Sequence, residues 1–170
     1  MAHIVVLGAG LGGSIMAYEL ADEIGKGDTI TVVTKDPTYH FVPSNPWVAV
    51  GWRERDDITI DLAPTMNKKG IKFVTTAAQR LHPEENRLEL IDGTSISYDY
   101  IVIATGPELA FDEIEGLGPH GGFTQSVCHI DHALQAKVVF EELMKNPGPV
   151  IIGAVQGASC YGPAYEFCFI

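Results

Sequence analysis

The chain has 170 residues, enough for one hydrophobic core but short for two complete domains. Apolar residues make up 46% and charged residues 19%, a globular composition that excludes a disordered tail. Lys plus Arg is 11 and Asp plus Glu is 22, so the formal net charge is −11. This acidity argues against nucleic-acid binding, because a negative surface repels phosphate backbones.

The sequence shows no targeting signal and no metal-binding pattern. Met1 leads into an apolar run without a basic segment before it, which argues against a signal peptide. No stretch reaches the ~18 apolar residues that a transmembrane helix needs. The cysteines Cys128, Cys160 and Cys168 are odd in number and too widely spaced for a disulfide framework or a CxxC-type zinc site.

Short apolar runs alternate with helical segments, which predicts an α/β fold with a parallel sheet. The predicted strands of that sheet are residues 3–7, 29–34, 71–75 and 100–104. A β-hairpin is predicted between them, since residues 87–90 and 95–98 alternate polar and apolar around the turn Asp92-Gly93. The first half of the chain is therefore expected to form a Rossmann-like domain with a β-meander.

Three helical or irregular segments complete the pattern. A helix is predicted over 14–24, with Met16, Leu20 and Ile24 on one face. The aromatic- and proline-rich segment 39–52 is expected to form a shaped loop with a short helix. A third helix is expected to run from a cap at Asp131 to Met144.

The last residues predict the start of a second Rossmann-like domain. Residues 150–152 are expected to form a buried strand, followed by a glycine turn and a helix that begins near Pro163. The chain stops inside this apolar helix without a cap or a polar tail, so we expect it to be the N-terminal portion of a larger protein. The expected organisation is a first Rossmann-like domain over 1–106, a connecting segment with a helix over 107–147, and a truncated second dinucleotide-binding-like domain over 148–170.

The first predicted strand and helix are joined by a glycine-rich turn. Gly8, Gly10 and Gly13 fit the pattern GxGxxG, in which the glycines permit a tight turn, pyrophosphate approach and close helix–strand packing. The helix N-terminus offers free N–H groups to phosphate. Because the motif lies between a strand and a helix, it predicts a dinucleotide site. The ribose partner is expected at the end of the second strand, where Thr34 and Asp36 are candidates and Asp36 could equally cap a turn.

At this point the chain resembles the two-dinucleotide-binding-domain flavoproteins, and within them bacterial sulfide:quinone oxidoreductase. The glycine fingerprint, the segment Ala104-Thr105-Gly106 and the glycine turn at 150–157 carry the wider resemblance. The closer resemblance lies in residues 41–47, around Cys128, and in residues 157–166. It covers essentially the whole chain.

The resemblance implies FAD as cofactor, with residues 1–106 as the FAD-binding domain, and a set of site residues. Thr105 and Gly106 would pass close to the FAD, and Pro43 and Ser44 would line its isoalloxazine ring. Cys128 and Cys160 match the redox cysteines near the flavin, whereas Cys168 is expected in the core. Glu166 matches a carboxylate near the flavin, and His132 could exchange protons with sulfide or a thiol. A helix-terminal charge for Glu166 and a surface position for His132 stay open.

The implied partners are sulfide and a quinone, with a third redox cysteine, the quinone pocket and the membrane-binding segment outside this chain. Peripheral membrane association is therefore expected, and a homo-oligomer is left open. The second glycine turn places Val155 where a dinucleotide turn needs glycine, so NAD(P) binding is not expected there. The alternatives are a flavocytochrome-type sulfide dehydrogenase, a type II NADH:quinone reductase, which needs that second turn intact, and an inactive FAD-binding fragment.

Overall fold

A computed structural model describes residues 1–158 and 161–170. The described chain divides into two compact units. Unit 1 comprises Met1–Tyr39 and Ile60–Glu108, and unit 2 comprises His40–Thr59 and Leu109–Ile170. Strands β3 (Thr38–His40) and β4 (Thr59–Asp61) form a separate two-stranded sheet. The domains expected from the sequence, over 1–106, 107–147 and 148–170, stay a prediction, because a division into compact units does not define domain boundaries.

Unit 1 is built on a four-stranded parallel sheet, as the sequence predicts. Its strands are β1 (His3–Leu7), β2 (Thr29–Thr34), β5 (Lys72–Thr75) and β9 (Tyr100–Ile103), in the order β5–β2–β1–β9. Val5 and Val6 of the central strand β1 are both fully buried, one on each face of the sheet. A strand covered on both faces explains why β1 reads as an uninterrupted apolar run. The predicted α/β fold with a parallel sheet is confirmed.

Two different layers cover this sheet. Helices α1 (Leu11–Glu23) and α3 (Leu62–Lys68) pack on the face that bears Val6. A three-stranded antiparallel meander covers the other face, and its strands are β6 (Ala78–His82), β7 (Arg87–Leu90) and β8 (Ser95–Ser97). The predicted hairpin is β7–β8. Strands β3, β4 and β6 and helix α3 were not predicted.

The buried face of α1 differs from the predicted stripe. Gly13, Ser14 and Ala17 are buried, while Met16 is 40% exposed. Small residues lie against the sheet because they allow the helix backbone to approach the strands closely. The large apolar side chains are therefore displaced toward the margin of the contact, where Leu20 and Ile24 remain partly buried.

Unit 2 is mostly helical in its described residues. Its regular elements are the 3-10 helices Val42–Ser44, Arg55–Ile58 and Phe111–Glu113 and the α-helices α2 (Asn45–Ala49), α4 (Ile130–Lys145) and α5 (Gly162–Phe167). Helices α2 and α4 share a small apolar core, which consists of Val48, Ala49, Ile58, Ile130, Ala133 and Ala136. The loop with a short helix expected over 39–52 is present as Val42–Ser44 and α2.

Three expectations for this half of the chain are wrong. Residues 150–152 form no strand, because no described strand lies alongside to pair with their backbone groups. His129 occupies the N-cap of α4, so Asp131 lies in the first turn instead of capping the helix. Cys168 is exposed, since α5 ends at Phe167 and no described core cluster includes that cysteine. Among the described helices, none combines the length and apolar character needed to cross a membrane.

Candidate functional site

The glycine turn after β1 is held by close backbone packing within unit 1. Gly8 has φ +106°, and a Cβ atom there would collide with the carbonyl oxygen of Ala104. A Cβ atom on Gly13 would collide with the carbonyl oxygen of Gly8. Both positions therefore require glycine for the fold itself, independent of any ligand.

Gly10 stands in open space at the N-cap of α1. A Cβ atom there would meet no atom within 4 Å, and φ is −67°, so the fold itself does not require glycine. No side chain caps this helix, which leaves the N–H groups of its first turn to an external acceptor. An open glycine at an uncapped helix N-terminus fits the pyrophosphate of a dinucleotide cofactor.

The segment after β9 lies beside this turn. The N–H of Ala104 donates to the carbonyl of Leu7 at 2.8 Å, which extends the pairing of β9 with β1 to the edge of the turn. Thr105 and Gly106 follow in exposed positions, and Gly106 has φ +77°. Strands β2 and β9 flank β1 on opposite sides, so this edge is the topological switch point at which open α/β sheets bind ligands.

The two ribose candidates lie at the carboxyl end of β2. The Thr34 hydroxyl donates to the backbone carbonyl of Asp36 at 3.0 Å. The Asp36 carboxylate accepts from the backbone N–H and the hydroxyl of Thr38 at 2.9 and 2.6 Å. Asp36 therefore caps the turn, one of its two expected roles, while a contact of either residue with ribose stays a prediction.

In unit 2, the segment after β3 buries polar side chains. Pro43 is exposed, but Ser44 is 2% exposed and its hydroxyl oxygen accepts from Arg53 Nη1 at 2.9 Å. The Arg53 guanidinium lies 4.3 Å from the centre of the Trp47 ring, a cation–π distance. Trp47 Nε1 in turn donates to Glu166 Oε1 at 2.7 Å. These contacts connect Ser44 and Glu166, two predicted site residues that are far apart in the sequence.

Glu166 occupies the fifth of six positions in α5 and is partly buried. It therefore does not serve as a charge at a helix N-terminus, which was its alternative role. The bond from the Trp47 indole fixes one carboxylate oxygen. The carboxylate is thus held in one position by a partner 119 residues away, as a residue that handles protons at a site requires.

Cys128 presents an exposed thiol next to an anchored backbone. Asn45 is fully buried, and its Nδ2 donates to the carbonyl of Val127 at 2.8 Å. The N–H of Cys128 donates to the Ser126 hydroxyl at 3.2 Å. Cys128 is thus exposed to a small reagent, while these two bonds hold the backbone that leads to it.

His132 is buried in the first turns of α4, at 7% exposure, so it is not a surface histidine. Its Nε2 lies 3.1 Å from Nε2 of His120. Burial lowers its pKa from the usual 6.5, nearby His129 and His120 lower it further, and Asp131 opposes them. Folding thus favours the neutral ring, a contribution to stability that is complete above about pH 6.5 and is lost as the pH falls through the lowered pKa.

The predicted site residues thus fall into two groups. Unit 1 brings together the glycine turn and the segment after β9, with Thr34 and Asp36 one strand away. Unit 2 carries Pro43, Ser44, Cys128, His132 and Glu166. Cys160, a predicted redox cysteine, lies outside the described residues. The sequence analysis missed Asn45, Trp47, Arg53 and His120. The partners of Asn45 and Trp47 lie 82 and 119 residues away, and those of Arg53 and His120 lie 9 and 12 residues away without a motif that joins them.

Replacing Asn45 by alanine is expected to lower the free energy of unfolding by about 2 kcal/mol, since it leaves a cavity and removes the hydrogen-bond donor of the partly buried Val127 carbonyl. Asn146→Ala, at the exposed end of α4, is the matched control and should change stability by less than about 0.5 kcal/mol. Denaturant unfolding measures both. Equal effects would contradict the anchoring role of Asn45.

Comparisons with known proteins agree with the resemblance seen in the sequence. A relative named sulfide-quinone reductase, from Aquifex aeolicus (strain VF5), is 42% identical over 168 residues, covering 99% of this chain and 38% of that protein. A mitochondrial sulfide:quinone oxidoreductase from Dictyostelium discoideum is 32% identical, covering 100% and 38%. The X-ray structure of the Aquifex aeolicus sulfide:quinone oxidoreductase matches with a TM-score of 0.91 at 42% identity, covering 99% of this chain and 38% of that one.

The chain therefore spans 38% of the length of these curated relatives. The sequence profile described as "Pyridine nucleotide-disulphide oxidoreductase" matches residues 2–158. The family and these relatives together imply a flavin-dependent oxidoreductase. With the profile matching nearly its whole length, and with a parallel sheet whose glycine turn leaves an open, uncapped helix N-terminus, this chain belongs to the pyridine nucleotide-disulphide oxidoreductase family.

Proposed function

We propose that this protein binds FAD and oxidises sulfide to sulfane sulfur or polysulfide, passing the electrons to a quinone. The observation that carries the proposal is the 42% identity with the Aquifex aeolicus sulfide-quinone reductase over 99% of the chain. The exposed thiol of Cys128 supports it, because sulfide chemistry needs an accessible sulfur nucleophile or acceptor. When bound, the flavin supplies a two-electron acceptor for sulfide sulfur.

The FAD would be held mainly by backbone groups of unit 1. Its pyrophosphate would lie against Gly10 and the first turn of α1, where the N–H groups and the helix dipole favour negative charge. Thr105 and Gly106 would pass close to it, and Thr34 or Asp36 would contact the ribose. Pro43 and Ser44 would line the isoalloxazine ring and exclude water from it.

Sulfur chemistry would take place at Cys128 and Cys160. In the proposed reaction HS⁻ would attack sulfur held at Cys160 or at its partner cysteine, and the bond between that sulfur and the other cysteine would break to leave a thiolate. The sulfide sulfur would end as sulfane sulfur, and the two electrons it loses would pass to the flavin. Glu166, positioned by the Trp47 indole, and the buried, neutral His132 would exchange the accompanying protons. The neutral state of His132 suits this task because a base must have a free nitrogen.

The proposed function also implies partners, namely a quinone and a membrane surface. A quinone, as the electron acceptor, would be bound mainly by residues outside this chain. Since quinones of respiratory type are membrane-soluble, the protein would associate peripherally with a membrane surface. A homo-oligomer is compatible with this arrangement.

An anaerobic absorbance spectrum of the purified protein, before and after addition of sulfide, tests the proposal. We expect a yellow protein whose flavin band bleaches with sulfide and does not bleach with NADH. Bleaching by NADH alone would contradict the proposal and favour an NADH:quinone reductase. A colourless protein that FAD does not reconstitute would contradict the cofactor assignment itself.

A further inference from the structure

A pair of histidines connects the interior of unit 2 with solvent. The Nε2 atoms of His120 and His132 are 3.1 Å apart, within hydrogen-bond distance. His132 is buried at 7% exposure, whereas His120 is exposed. The ring of His132 is enclosed by its neighbours, with ring centres of Phe111 and His129 at 5.6 and 5.3 Å. Water is thereby excluded from one partner of the pair and admitted to the other.

The second ring nitrogen of His132 is the unusual feature. Nδ1 is buried and has no hydrogen-bond partner among residues 1–158 and 161–170. Buried polar atoms without a partner are rare in folded proteins, because each costs the desolvation of that atom. An unpaired ring nitrogen on the inner side, with a paired one on the outer side, is the arrangement of a group that receives a proton from within.

His120 lines an open cavity of about 390 Å³ in the loop over residues 109–122. The cavity is large enough for water, which can accept a proton from His120. Asp112 and Glu115 also line it, so the opening beside His120 is acidic. The pair therefore runs from an unpaired buried nitrogen to a hydrated, acidic opening.

We propose that His120 and His132 form a two-histidine proton relay, with His132 Nδ1 as its inner end and His120 as its outer end. A proton bonds to His132 Nδ1, the proton on His132 Nε2 transfers to His120 Nε2, and the proton on His120 Nδ1 leaves for water in the cavity. One proton enters and one leaves, and both rings finish neutral in the opposite tautomer. The reverse sequence carries a proton inward.

The relay rests on the proposed function, which supplies its proton. Oxidation of HS⁻ to zero-valent sulfur releases two electrons and one proton at the sulfur, while two-electron reduction of a flavin consumes one proton at a different atom. A route that exchanges protons between the interior and solvent keeps the two steps in balance. His132 accepts the proton released at the sulfur and does not retain it, because burial disfavours its cationic form, the neighbouring His129 and His120 add to that effect, and only Asp131 opposes it. His120 is thus a positioning and relay residue that need not touch sulfide.

The test compares His120→Ala with the matched control His129→Ala in the purified flavin-loaded protein. Both remove an exposed imidazole that contacts His132, but only His120 is hydrogen-bonded to it. In stopped-flow reduction by sulfide, we expect His120→Ala to slow flavin reduction about 10-fold and added imidazole to restore part of the rate. His129→Ala should keep the rate within about 2-fold, since no relay atom is lost. An unchanged rate in His120→Ala, or equal slowing in both variants without imidazole rescue, would overturn the relay.

Nuclear magnetic resonance of the ring nitrogens separates this result from the proposed function. In the wild-type protein we expect a neutral His132 at pH 7 whose Nε2 signal shows hydrogen bonding, and this signature should be lost in His120→Ala. Identical His132 signals in both proteins would overturn the relay even if sulfide reduces the flavin. If sulfide fails to reduce the wild-type flavin, the proposed function is wrong, and these signals alone decide whether the two histidines are coupled.

Discussion

Gly13→Ala is expected to lower the free energy of unfolding by about 3 kcal/mol, because its new methyl group would collide with the carbonyl of Gly8. Gly10→Ala is expected to leave stability unchanged, since a Cβ atom there meets nothing within 4 Å. The same methyl group would, however, occupy the space through which a pyrophosphate approaches the backbone. We expect Gly10→Ala to raise the dissociation constant of FAD about 100-fold, equal to about 2.7 kcal/mol.

The two effects are measured separately, by thermal unfolding of the flavin-free protein and by quenching of flavin fluorescence on binding. Gly12→Ala is the matched control, because position 12 is also open and lies one residue from Gly13 in the same helix. It should stabilise the helix by up to about 1 kcal/mol and leave FAD affinity unchanged. If Gly10→Ala binds FAD with the wild-type affinity, the proposal that the pyrophosphate lies against this turn is wrong.

The sheet and its glycine turn could be predicted because their signals are local. Strand β2 has the predicted bounds, since a β-branched run between turns is enough to define it. The packing face of α1 could not be predicted from apolar periodicity. The sheet selects Gly13 and Ala17 for their small size, a requirement set by backbone distance that a count of apolar side chains does not contain.

The predicted strand at residues 150–152 shows where a local apolar pattern is not enough. An apolar run defines a buried strand only where neighbouring strands satisfy its backbone, and no described strand does so here. Strand β6 was missed for a related reason. It pairs with β7 across a register irregularity, and its exposed polar residues hide the pattern of a strand.

The hydrogen bonds of the site in unit 2 could not be predicted from local sequence patterns, for a different reason. The bonds from Asn45 to Val127 and from Trp47 to Glu166 join residues 82 and 119 positions apart. Neither partner predicts the other, since many polar pairs could form at such separations. The resemblance to a known family indicated Ser44, Cys128 and Glu166, and the position of His132 four residues after Cys128 indicated that histidine. The structure adds the side chains that hold two of these residues, Ser44 and Glu166.

Cys160→Ser and Cys128→Ser are each expected to slow sulfide-dependent flavin bleaching by more than about 100-fold while FAD stays bound. A serine hydroxyl is not ionised near neutral pH and cannot carry sulfane sulfur, so the variant loses the sulfur acceptor without losing the size of the side chain. Stopped-flow absorbance under anaerobic conditions measures the rate, and the flavin content of each variant confirms that the cofactor is retained.

Cys168, the third cysteine, provides the control for these two substitutions, because its exposed position separates loss of a thiol from loss of stability. Cys168 was expected in the core, where its replacement by serine would cost stability, but it is exposed at the end of α5. Cys168→Ser should therefore change stability by less than about 0.5 kcal/mol and leave bleaching at the wild-type rate. If sulfide bleaches the flavin of Cys160→Ser at the wild-type rate, Cys160 has no part in sulfide oxidation. Slowing by all three substitutions would show that thiol loss acts through folding, because the structure gives Cys168 no part in the site.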